Sequence, residues 1–256
     1  MEKTIFNQDV ISESDIKEFM RLLVKQSKKY SIIYKYLTYD SGCQMLRYNN
    51  IQFTRGDVLN DKEDLSISKF NTDAPYLLCN EFGISREFVT SKIKEQSEVL
   101  SSFGVCSLGT SPFNRVLWKR YASDEYGKEN GICIGINQAY VINALFKQNI
   151  KTACVLVRYK SSTLNSIPWF AISGPLPVKI FTGYQFFALK NSDPWEEEKE
   201  IRLVYTQTMK EQYRRIVLPK NCFFNVYMGK DMTLSQKQKV GQILNRNLPK
   251  VKRIPL

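Results

Sequence analysis

The stretch Trp195–Tyr205, with the sequence WEEEKEIRLVY, joins a cluster of charged residues to a strand-like alternation of polar and apolar residues. Side chains alternate between the two faces of a strand, so a strand that begins near Glu198 turns Ile201 and every second residue after it into the core. The opposite face is then a polar row of Glu198, Glu200 and Arg202, which we expect to point outward. This pattern predicts a strand with one face on the core.

The polar row holds two carboxylates about 7 Å apart along the strand, with an arginine beside them. Such a pair can hydrogen-bond a sugar hydroxyl and stabilise an oxocarbenium ion, which is the chemistry of glycosyl transfer. The alternative interpretation is an exposed strand face with an in-line Glu–Arg pair that contributes about a few tenths of a kcal/mol. The pattern by itself leaves both interpretations open.

The stretch Val105–Ile136 supplies the next candidate residues. Its pattern predicts a strand, a helix and a second strand. Ser111 and Pro112 have the residue types of an N-cap and a first helical position, so we expect the helix to begin there. Trp118 and Tyr121 then share one helical face. An aromatic stripe more often packs into a core than forms a site, but the Tyr121 hydroxyl suits that residue to a cleft.

Helices and strands alternate at uneven spacing along the chain. That pattern favours a mixed α+β fold over a doubly wound parallel sheet. No repeat of fixed period and no Gly/Ser linker divides the sequence. We therefore predict a helical N-terminal extension over residues 1–30, with its helix starting at Ser12. A single catalytic-like α+β domain with a basic C-terminal end then covers residues 31–256.

The composition excludes several kinds of chemistry. The chain has 256 residues, of which 43% are apolar, and it contains no histidine. Ser-His-Asp triads, histidine zinc ligands and a histidine general base are therefore ruled out. The six cysteines are scattered without a C-x-x-C pair, which predicts reduced thiols in a cytoplasmic protein. The N-terminal sequence lacks the apolar run of a signal peptide, and we expect no membrane-spanning segment.

Positive charge is concentrated toward the C-terminal end. The net charge is +12, and residues 206–256 hold eleven basic residues against two acidic ones, a local net charge of +9. A basic end of this kind indicates a polyanionic partner such as nucleic acid, and a solvated lysine-rich tail is the alternative. The candidate nucleic-acid-binding residues are Arg214, Arg215, Lys250, Lys252 and Arg253.

An acidic segment, formed by Asp57, Asp61, Glu63 and Asp64, offers a set of oxygen ligands. Carboxylates of this kind bind the divalent cations of metal-dependent nucleases, so the segment keeps that function open. The same composition is also typical of a solvated loop. We expect no bound metal, because the chain has no histidine ligands and its acidic groups fall in a loop or at the entrance of a strand.

Five motifs resemble, in their order, those of a large bacterial family that carries a domain-of-unknown-function label. They are YKY (Tyr34–Tyr36), IQFTRGDVLND (Ile51–Asp61), LWKRYA (Leu117–Ala122), K-x-x-x-x-W-x-x-E-x-E-x-R (Lys190–Arg202) and VYMGKDMT (Val226–Thr233). The resemblance covers about residues 31–248. Lys62 stands where the family usually has proline, and Arg120 stands where the family often has histidine.

The layout of that family is similar to the ADP-ribosyltransferase superfamily, which implies split small sheets flanked by helices and NAD as substrate. Carried over residue by residue, Glu200 is the catalytic carboxylate and Glu198 is its partner. Ser107 or Tyr121 takes the middle position. The residues implied to contact the cofactor are Lys35, Tyr36, Arg55 and Arg202. Lys35 stands where the superfamily has arginine or histidine, and it lacks the fork geometry of arginine.

The leading hypothesis is an ADP-ribosyltransferase-like bacterial toxin or phage-defence effector that acts with NAD on a macromolecular acceptor, nucleic acid by preference. One alternative is a non-catalytic nucleic-acid-binding or assembly module of a defence system, and the other is a metal-dependent nuclease. A toxin or a defence effector of this kind implies a partner protein of the same system. The catalytic hypothesis requires Glu200, Lys35 and Ser107 to line one cleft, whereas their dispersal would favour the binding module.

Overall fold

A computed structural model of the chain describes residues 28–61, 63–71, 85–164, 167–168 and 183–255, together with Arg21, Lys25 and Gly83. The helix predicted from Ser12 lies outside the described residues. Cys79 and Lys62 lie outside them as well.

Helices and strands are interleaved along the described chain, as the sequence predicts. The helices are α1 (Tyr39–Tyr48), α2 (Arg86–Ser101), α3 (Arg115–Tyr121), α4 (Gln138–Lys147) and α5 (Leu234–Asn247). The strands are β1 (Ile32–Leu37), β2 (Asn50–Arg55), β3 (Phe70–Asn71), β4 (Phe103–Gly109), β5 (Ile132–Asn137), β6 (Thr152–Leu156), β7 (Arg158–Lys160), β8 (Ile167–Pro168), β9 (Leu189–Asn191), β10 (Glu200–Thr208), β11 (Tyr213–Val217), β12 (Phe223–Met228) and β13 (Lys252–Pro255). None of the helices in the described part of the chain has the length and apolar character needed to cross a bilayer.

Most of the strands form one nine-stranded sheet. Its order is β11-β2-β4-β1-β5-β12-β13, and β10 pairs with both β4 and β6. β12 and β13 run parallel, whereas the other pairs in this sheet are antiparallel. The short pairs β3–β8 and β7–β9 form two small parallel sheets beside it. The mixed α+β class is therefore confirmed.

The large sheet forks at β4. One edge of β4 pairs along its length with β10. The other edge is shared, because β2 pairs with its beginning at Gly104 and Val105, and β1 pairs with its end at Gly109. The sheet thus divides into two arms, β1-β5-β12-β13 and β2-β11, with a gap between them. The split that the sequence predicts is therefore observed as a fork within one large sheet.

The two faces of the sheet are packed differently. One face carries a continuous apolar core that includes Ile33 and Phe53. On the opposite face, one apolar cluster surrounds Val105 and Val204, and a separate cluster surrounds Trp118. The clusters follow from the alternation of side chains along each strand. The division of the second face leaves room for polar side chains near the fork.

Side-chain caps mark the start of α2, α3, α4 and α5. Ser85, Asn137 and Thr233 cap α2, α4 and α5 by accepting hydrogen bonds from amides of the first turn. The predicted start of α3 at Ser111 is wrong. Asn114 caps that helix instead, because its side-chain oxygen accepts from two backbone amides of the first turn. The α3 helix therefore begins three residues later than the Ser-Pro pattern predicts.

The cysteines of the described residues are free thiols. Cys43, Cys106, Cys133 and Cys222 are buried, and Cys154 is half-buried. Burial raises the pKa of the Cys222 thiol to about 11, which keeps it protonated and unreactive at neutral pH. These thiols therefore serve as small apolar core residues.

Candidate active site

A cavity of about 330 Å³ lies at the fork of the sheet. Its wall combines side chains from β1, β4, α3 and the segment that leads into β10. The predicted site residues that line it are Lys35, Tyr36, Ser107, Tyr121, Glu198, Glu200, Arg202 and Arg215. Glu200, Lys35 and Ser107 therefore line one cleft, which is the arrangement that the catalytic hypothesis requires.

Lys35 bridges the fork. Its ammonium nitrogen, Nζ, donates a hydrogen bond of 2.8 Å to the backbone carbonyl of Ser107. This bond joins β1 to β4 where only Tyr34 and Gly109 pair between the two strands. An ammonium group has three N–H donors. The Ser107 carbonyl is the one acceptor of Lys35 among the described residues, so two donors remain for a ligand.

Tyr36 forms part of the cavity wall through its ring. Its hydroxyl donates to the carbonyl of Ser111 and accepts from the amide of Asn114. The ring packs edge-on against Trp118, with centroids 5.5 Å apart. Because its only proton is already donated, Tyr36 shapes the cavity and has no proton to offer a ligand.

The polar row that the sequence predicts to point outward is buried. Glu198, Glu200 and Arg202 are 2%, 3% and 1% exposed. Glu198 belongs to a 3-10 turn, Glu196–Glu198, and β10 begins only at Glu200. The segment around Lys190 packs over this face, so both faces of β10 are covered. The outward orientation is therefore wrong, although the inward position of the alternate residues is right.

Arg202 uses every N–H group of its guanidinium inside the protein. Nε and Nη2 donate to the two oxygens of Glu200 at 2.8 and 3.0 Å. Nη1 donates to Asp64 at 3.2 Å and to the Phe187 carbonyl at 3.0 Å, and Nη2 also donates to Asp64. A guanidinium has five N–H donors, and all of them are occupied. Arg202 therefore holds the site together and has no donor for a cofactor, the role that the resemblance implies for it.

The buried charges around Arg202 balance one another. Lys190 donates to Glu198 at 3.1 Å and to Glu200 at 3.2 Å. A second buried lysine pairs with Asp64 at 3.0 Å. Three carboxylates thus meet three cations out of water, which is the condition under which buried charges are tolerated. We call this set the buried charge network: Asp64, Lys69, Lys190, Glu198, Glu200 and Arg202.

The buried charge network keeps Asp64 and Glu200 ionised. Burial acts to raise the pKa of Asp64, but the charges of Arg202 and Lys69 outweigh it and hold that pKa well below its usual range. Burial likewise acts to raise the pKa of Glu200, and the charge and hydrogen bonds of Arg202, with the charge of Lys190, lower it overall. Both side chains are therefore anions at neutral pH.

The α3 helix delivers two donors to Glu198. Arg120 Nη1 and the Tyr121 hydroxyl each donate to Oε1 of Glu198 at 2.9 Å. Burial, and then the charge of Glu198, raise the pKa of Tyr121, so its hydroxyl keeps its proton. The side-chain amide of Asn114 donates to the carbonyls of Glu197 and Glu198 at 2.7 and 3.0 Å. The residue that caps α3 thus also fixes the turn that carries Glu198.

Trp195 lies against two cations at the wall of the cavity. Lys190 Nζ is 4.3 Å from the ring centroid, and Arg120 Cζ is 4.6 Å from it. These distances are in the range of cation–π attraction. Lys190 and Trp195 belong to the same sequence motif as Arg202, and their spacing to Arg202 is the only sign of a role that the sequence offers. Lys69 gave no signal, because a lone lysine in a polar segment is usually solvated.

The lowered pKa values predict an acid-sensitive fold. A carboxyl group whose pKa is lowered on folding contributes stability that is complete above its ordinary pKa and is lost as the pH falls through the folded value. The ordinary values are 3.8 for Asp64 and 4.5 for Glu200. We therefore expect the free energy of unfolding to fall as the pH drops below them, as measured by urea titrations over a pH series.

Asp57→Asn is the matched control for this prediction. The side chain of Asp57 is 46% exposed and pairs with Arg55 at the surface. Asp64→Asn removes a carboxylate from the buried charge network and should make the loss of stability in acid less steep, whereas Asp57→Asn should leave it unchanged. The same pH dependence in all three proteins would show that the network does not control stability in acid.

Arg55 is not part of the described cavity wall. Its Nε donates to Asp57 at 2.6 Å, and Nη1 donates to the Lys210 carbonyl at 3.3 Å. Its guanidinium therefore ties β2 to the loop before β11. The cofactor contact that the resemblance implies for Arg55 does not fit this position.

The acidic segment does not converge on a centre. Asp57 pairs with an arginine, and Asp61 accepts backbone amides within its own turn. Glu63 accepts from Asn191, and Asp64 belongs to the buried charge network. No group of three or more Asp, Glu, Cys or His residues in the described ranges is placed to hold a metal ion. The nuclease alternative therefore has no site among these four described carboxylates.

The basic candidates lie at opposite edges of the large sheet. Arg214 and Arg215 belong to β11 at one end of the strand order, and Lys252 and Arg253 belong to β13 at the other. Lys250 lies just before β13 and is exposed. The five candidate nucleic-acid-binding residues are thus divided between two separate edges of the sheet. Of the five residues, Arg215 is the one that lines the described cavity.

The chain was compared with known proteins. No protein-family model matches it, and no curated protein matches it. Solved structures similar to it include Thermus sp. 2.9 DarT in complex with NAD+, at 12% identity and a TM-score of 0.37, covering 88% of this chain and 96% of that chain. Thermus sp. 2.9 DarT in complex with carba-NAD+ is similar at 14% identity and a TM-score of 0.36, covering 89% of this chain and 95% of that chain. These values do not establish a family for the chain.

Proposed function

We propose that the protein transfers ADP-ribose from NAD to a nucleic-acid acceptor, as an ADP-ribosyltransferase-like bacterial toxin or phage-defence effector. The observation that supports this most is the convergence of Lys35, Ser107, Tyr121 and Glu200 on one cavity at the fork of the sheet. An ammonium group with two open donors, hydroxyl groups and an ionised carboxylate are the groups that bind and activate a ribose.

Two side chains have unused capacity for NAD. Lys35 keeps two N–H donors, which suit a phosphate oxygen or a ribose hydroxyl. Oε1 of Glu200 accepts one hydrogen bond, from Arg202, so a second lone pair is open to a ribose hydroxyl. A carboxylate at the ribose stabilises the positive charge that develops as nicotinamide departs.

The proposed reaction balances as a substitution at C1′ of the ribose. The bond from C1′ to the nicotinamide nitrogen breaks, and its electron pair leaves with nicotinamide. A nucleophilic atom of the acceptor bonds to C1′ and releases a proton. Oε2 of Glu198 carries one hydrogen bond, from Lys190, and its open lone pair can accept that proton.

Transfer of label from NAD tests the proposal. Incubation with NAD labelled in its adenylate part and with a single-stranded oligonucleotide should give labelled oligonucleotide and free nicotinamide. Addition of EDTA should change neither product, because no step requires a metal. Strand cleavage that EDTA abolishes, without label transfer, would contradict the proposal.

A pair of lysine variants makes this test specific to the cavity. Lys35→Met removes the free donors, so the KM for NAD should rise. Lys119→Met removes the same charge from the exposed side of α3 and should leave the KM unchanged. Equal KM values in both variants would show that Lys35 does not contact NAD.

A further inference from the structure

We infer that a single-stranded nucleic acid binds on the outer face of β2 and β11, with a base stacked on Tyr213 and a phosphate held by Arg215. The inference rests on the proposed function, because it names the surface from which the acceptor reaches the cavity. Of the basic residues that the sequence favours, it assigns Arg215 to the acceptor and leaves out Lys250, Lys252 and Arg253.

The outer face of β11 is set by the alternation of its side chains. Ile216 packs into the continuous core on the inner face. Tyr213, Arg215 and Val217 therefore point outward, and Tyr213 and Val217 are 53% and 63% exposed. β11 is also the terminal strand of the sheet on its side, so no further strand covers this edge in the described order. An exposed aromatic ring and a cation thus stand two residues apart on one strand face.

The outer face continues directly into the cavity. On β2, Thr54 pairs with Tyr213 and Gln52 pairs with Arg215. All four residues contribute to the cavity wall. A second, shallower depression is lined by Gln52, Tyr213 and Arg215. A ligand that lies on these side chains therefore enters the site without crossing another element of the described chain.

The residue types on this face match single-strand recognition. Aromatic rings stack on bases of any sequence, and arginine holds phosphate oxygens. Arg215 Nε donates to the side-chain oxygen of Gln52 at 3.2 Å, which orients the guanidinium and leaves its Nη groups for a ligand. The described lining of this second depression contains a cation and no carboxylate, which suits an anionic ligand.

A peptide acceptor fits this face less well. Peptides recognised at a sheet edge pair through their backbones with the edge strand, and not with side chains on the face of the sheet. Here the groups that adjoin the cavity are side chains on the face of the strands. Positive charge also dominates the C-terminal part of the chain, with a net charge of +9 over residues 206–256. Both features favour a polyanion with planar rings.

The opposite edge of the sheet is poorly placed for an acceptor. Lys252 and Arg253 on β13 are separated from β4 by β12, β5 and β1 in the strand order. Arg253 Nη2 also donates to Asn245 on α5 at 2.8 Å, which engages part of its guanidinium. A nucleic acid bound at β13 would therefore lie away from the cavity.

Binding of a fluorescein-labelled oligothymidylate without NAD tests this surface alone. Tyr213→Ala should weaken binding about tenfold or more, because it removes the stacking ring, and Tyr213→Phe should bind nearly as wild type. Arg215→Gln should reduce the salt dependence of binding by about one released counterion. Lys252→Gln removes the same charge from the opposite edge strand and should change neither quantity. Anisotropy titrations at several salt concentrations give both measurements.

The outcomes separate this inference from the proposed function. Unchanged binding by Tyr213→Ala, or an equal loss in Lys252→Gln, would overturn the surface whatever the enzyme does. Displacement of the oligonucleotide by an acidic peptide of equal charge, with the same effect in every variant, would also overturn it. Release of nicotinamide from NAD without an oligonucleotide reports on the cavity alone, so its absence together with normal oligonucleotide binding would contradict only the proposed function. Thermal unfolding of each variant confirms that these surface changes leave the fold intact.

Discussion

Replacement of Arg202 by methionine is expected to lower the free energy of unfolding by about 3–5 kcal/mol. Methionine keeps much of the side-chain volume but removes the guanidinium, so Asp64 and Glu200 lose the cation that pairs with both. A protein of this kind is stable by about 5–15 kcal/mol, so the change removes a large part of its stability. Urea unfolding of the purified variant measures the effect.

Arg214→Met is the matched control, because Arg214 lies half-buried on β11 and pairs with Glu211 near the surface. That substitution should cost less than about 1 kcal/mol. Equal losses in the two variants would show that the buried charge network has no special role. A double-mutant cycle of Arg202→Met with Asp64→Asn should show coupling, because the second change removes one of the two orphaned charges.

Replacement of Glu200 by glutamine is expected to reduce nicotinamide release about 100-fold or more, which corresponds to about 3 kcal/mol in the barrier. Glutamine keeps the size of the side chain but removes the charge that stabilises the ribose cation. The sequence alone predicts that the fold stays intact. Because Glu200 is buried beside Arg202 and Lys190, we expect stability to fall as well. The turnover number is therefore measured well below the melting temperature of the variant.

The exposed Glu197 of the same turn supplies the control for this prediction. Glu197→Gln should leave both turnover and stability unchanged. If Glu200→Gln is only less stable, the active fraction falls while the KM and the turnover per folded molecule stay the same. That result, or full activity in the folded variant, would leave Glu200 as a structural ion-pair residue.

The alternation of β10 was predictable, but its environment was not. Ile201 and Leu203 face the core as their spacing predicts. Three charged residues on the other face look solvent-exposed, because sequence alone does not show the cations and carboxylates that come from distant segments. Asp64 lies 138 residues from Arg202, and no local pattern connects the two. The period of a strand identifies its faces, whereas burial of the second face depends on tertiary packing.

The sequence does not predict the strands whose apolar pattern is weak. β11 and β13 are edge strands that carry two basic residues each, and their segments look like part of a basic tail. Edge strands need only one apolar contact face, and charged residues on them discourage pairing with other chains. The start of α3 was misplaced for a different reason, since Asn114 has the better-placed side chain for the free amides although Ser111-Pro112 has the commoner pattern.

The sequence predicts which residues share the site but not the role of each residue. Lys35, Ser107, Tyr121 and Glu200 do share a cavity. Their roles depend on how many of their hydrogen-bond donors and acceptors are already occupied, and the sequence does not show this. Arg202 shows this most clearly, because all five of its N–H groups are hydrogen-bonded within the protein and none is open to a ligand.

The long span of the buried charge network has a consequence for synthesis of the chain. Glu198 meets Tyr121 across 77 residues, and Arg202 meets Asp64 across 138. A chain leaves the ribosome with its N-terminal part first, so β1, β2 and β4 are complete while β10 is still unmade. Closing such long loops has an entropic cost that only the final contacts offset. A nascent chain that ends before Arg202 thus has neither the balanced network nor the cavity. The activity proposed for the protein would therefore appear only after translation has passed β10.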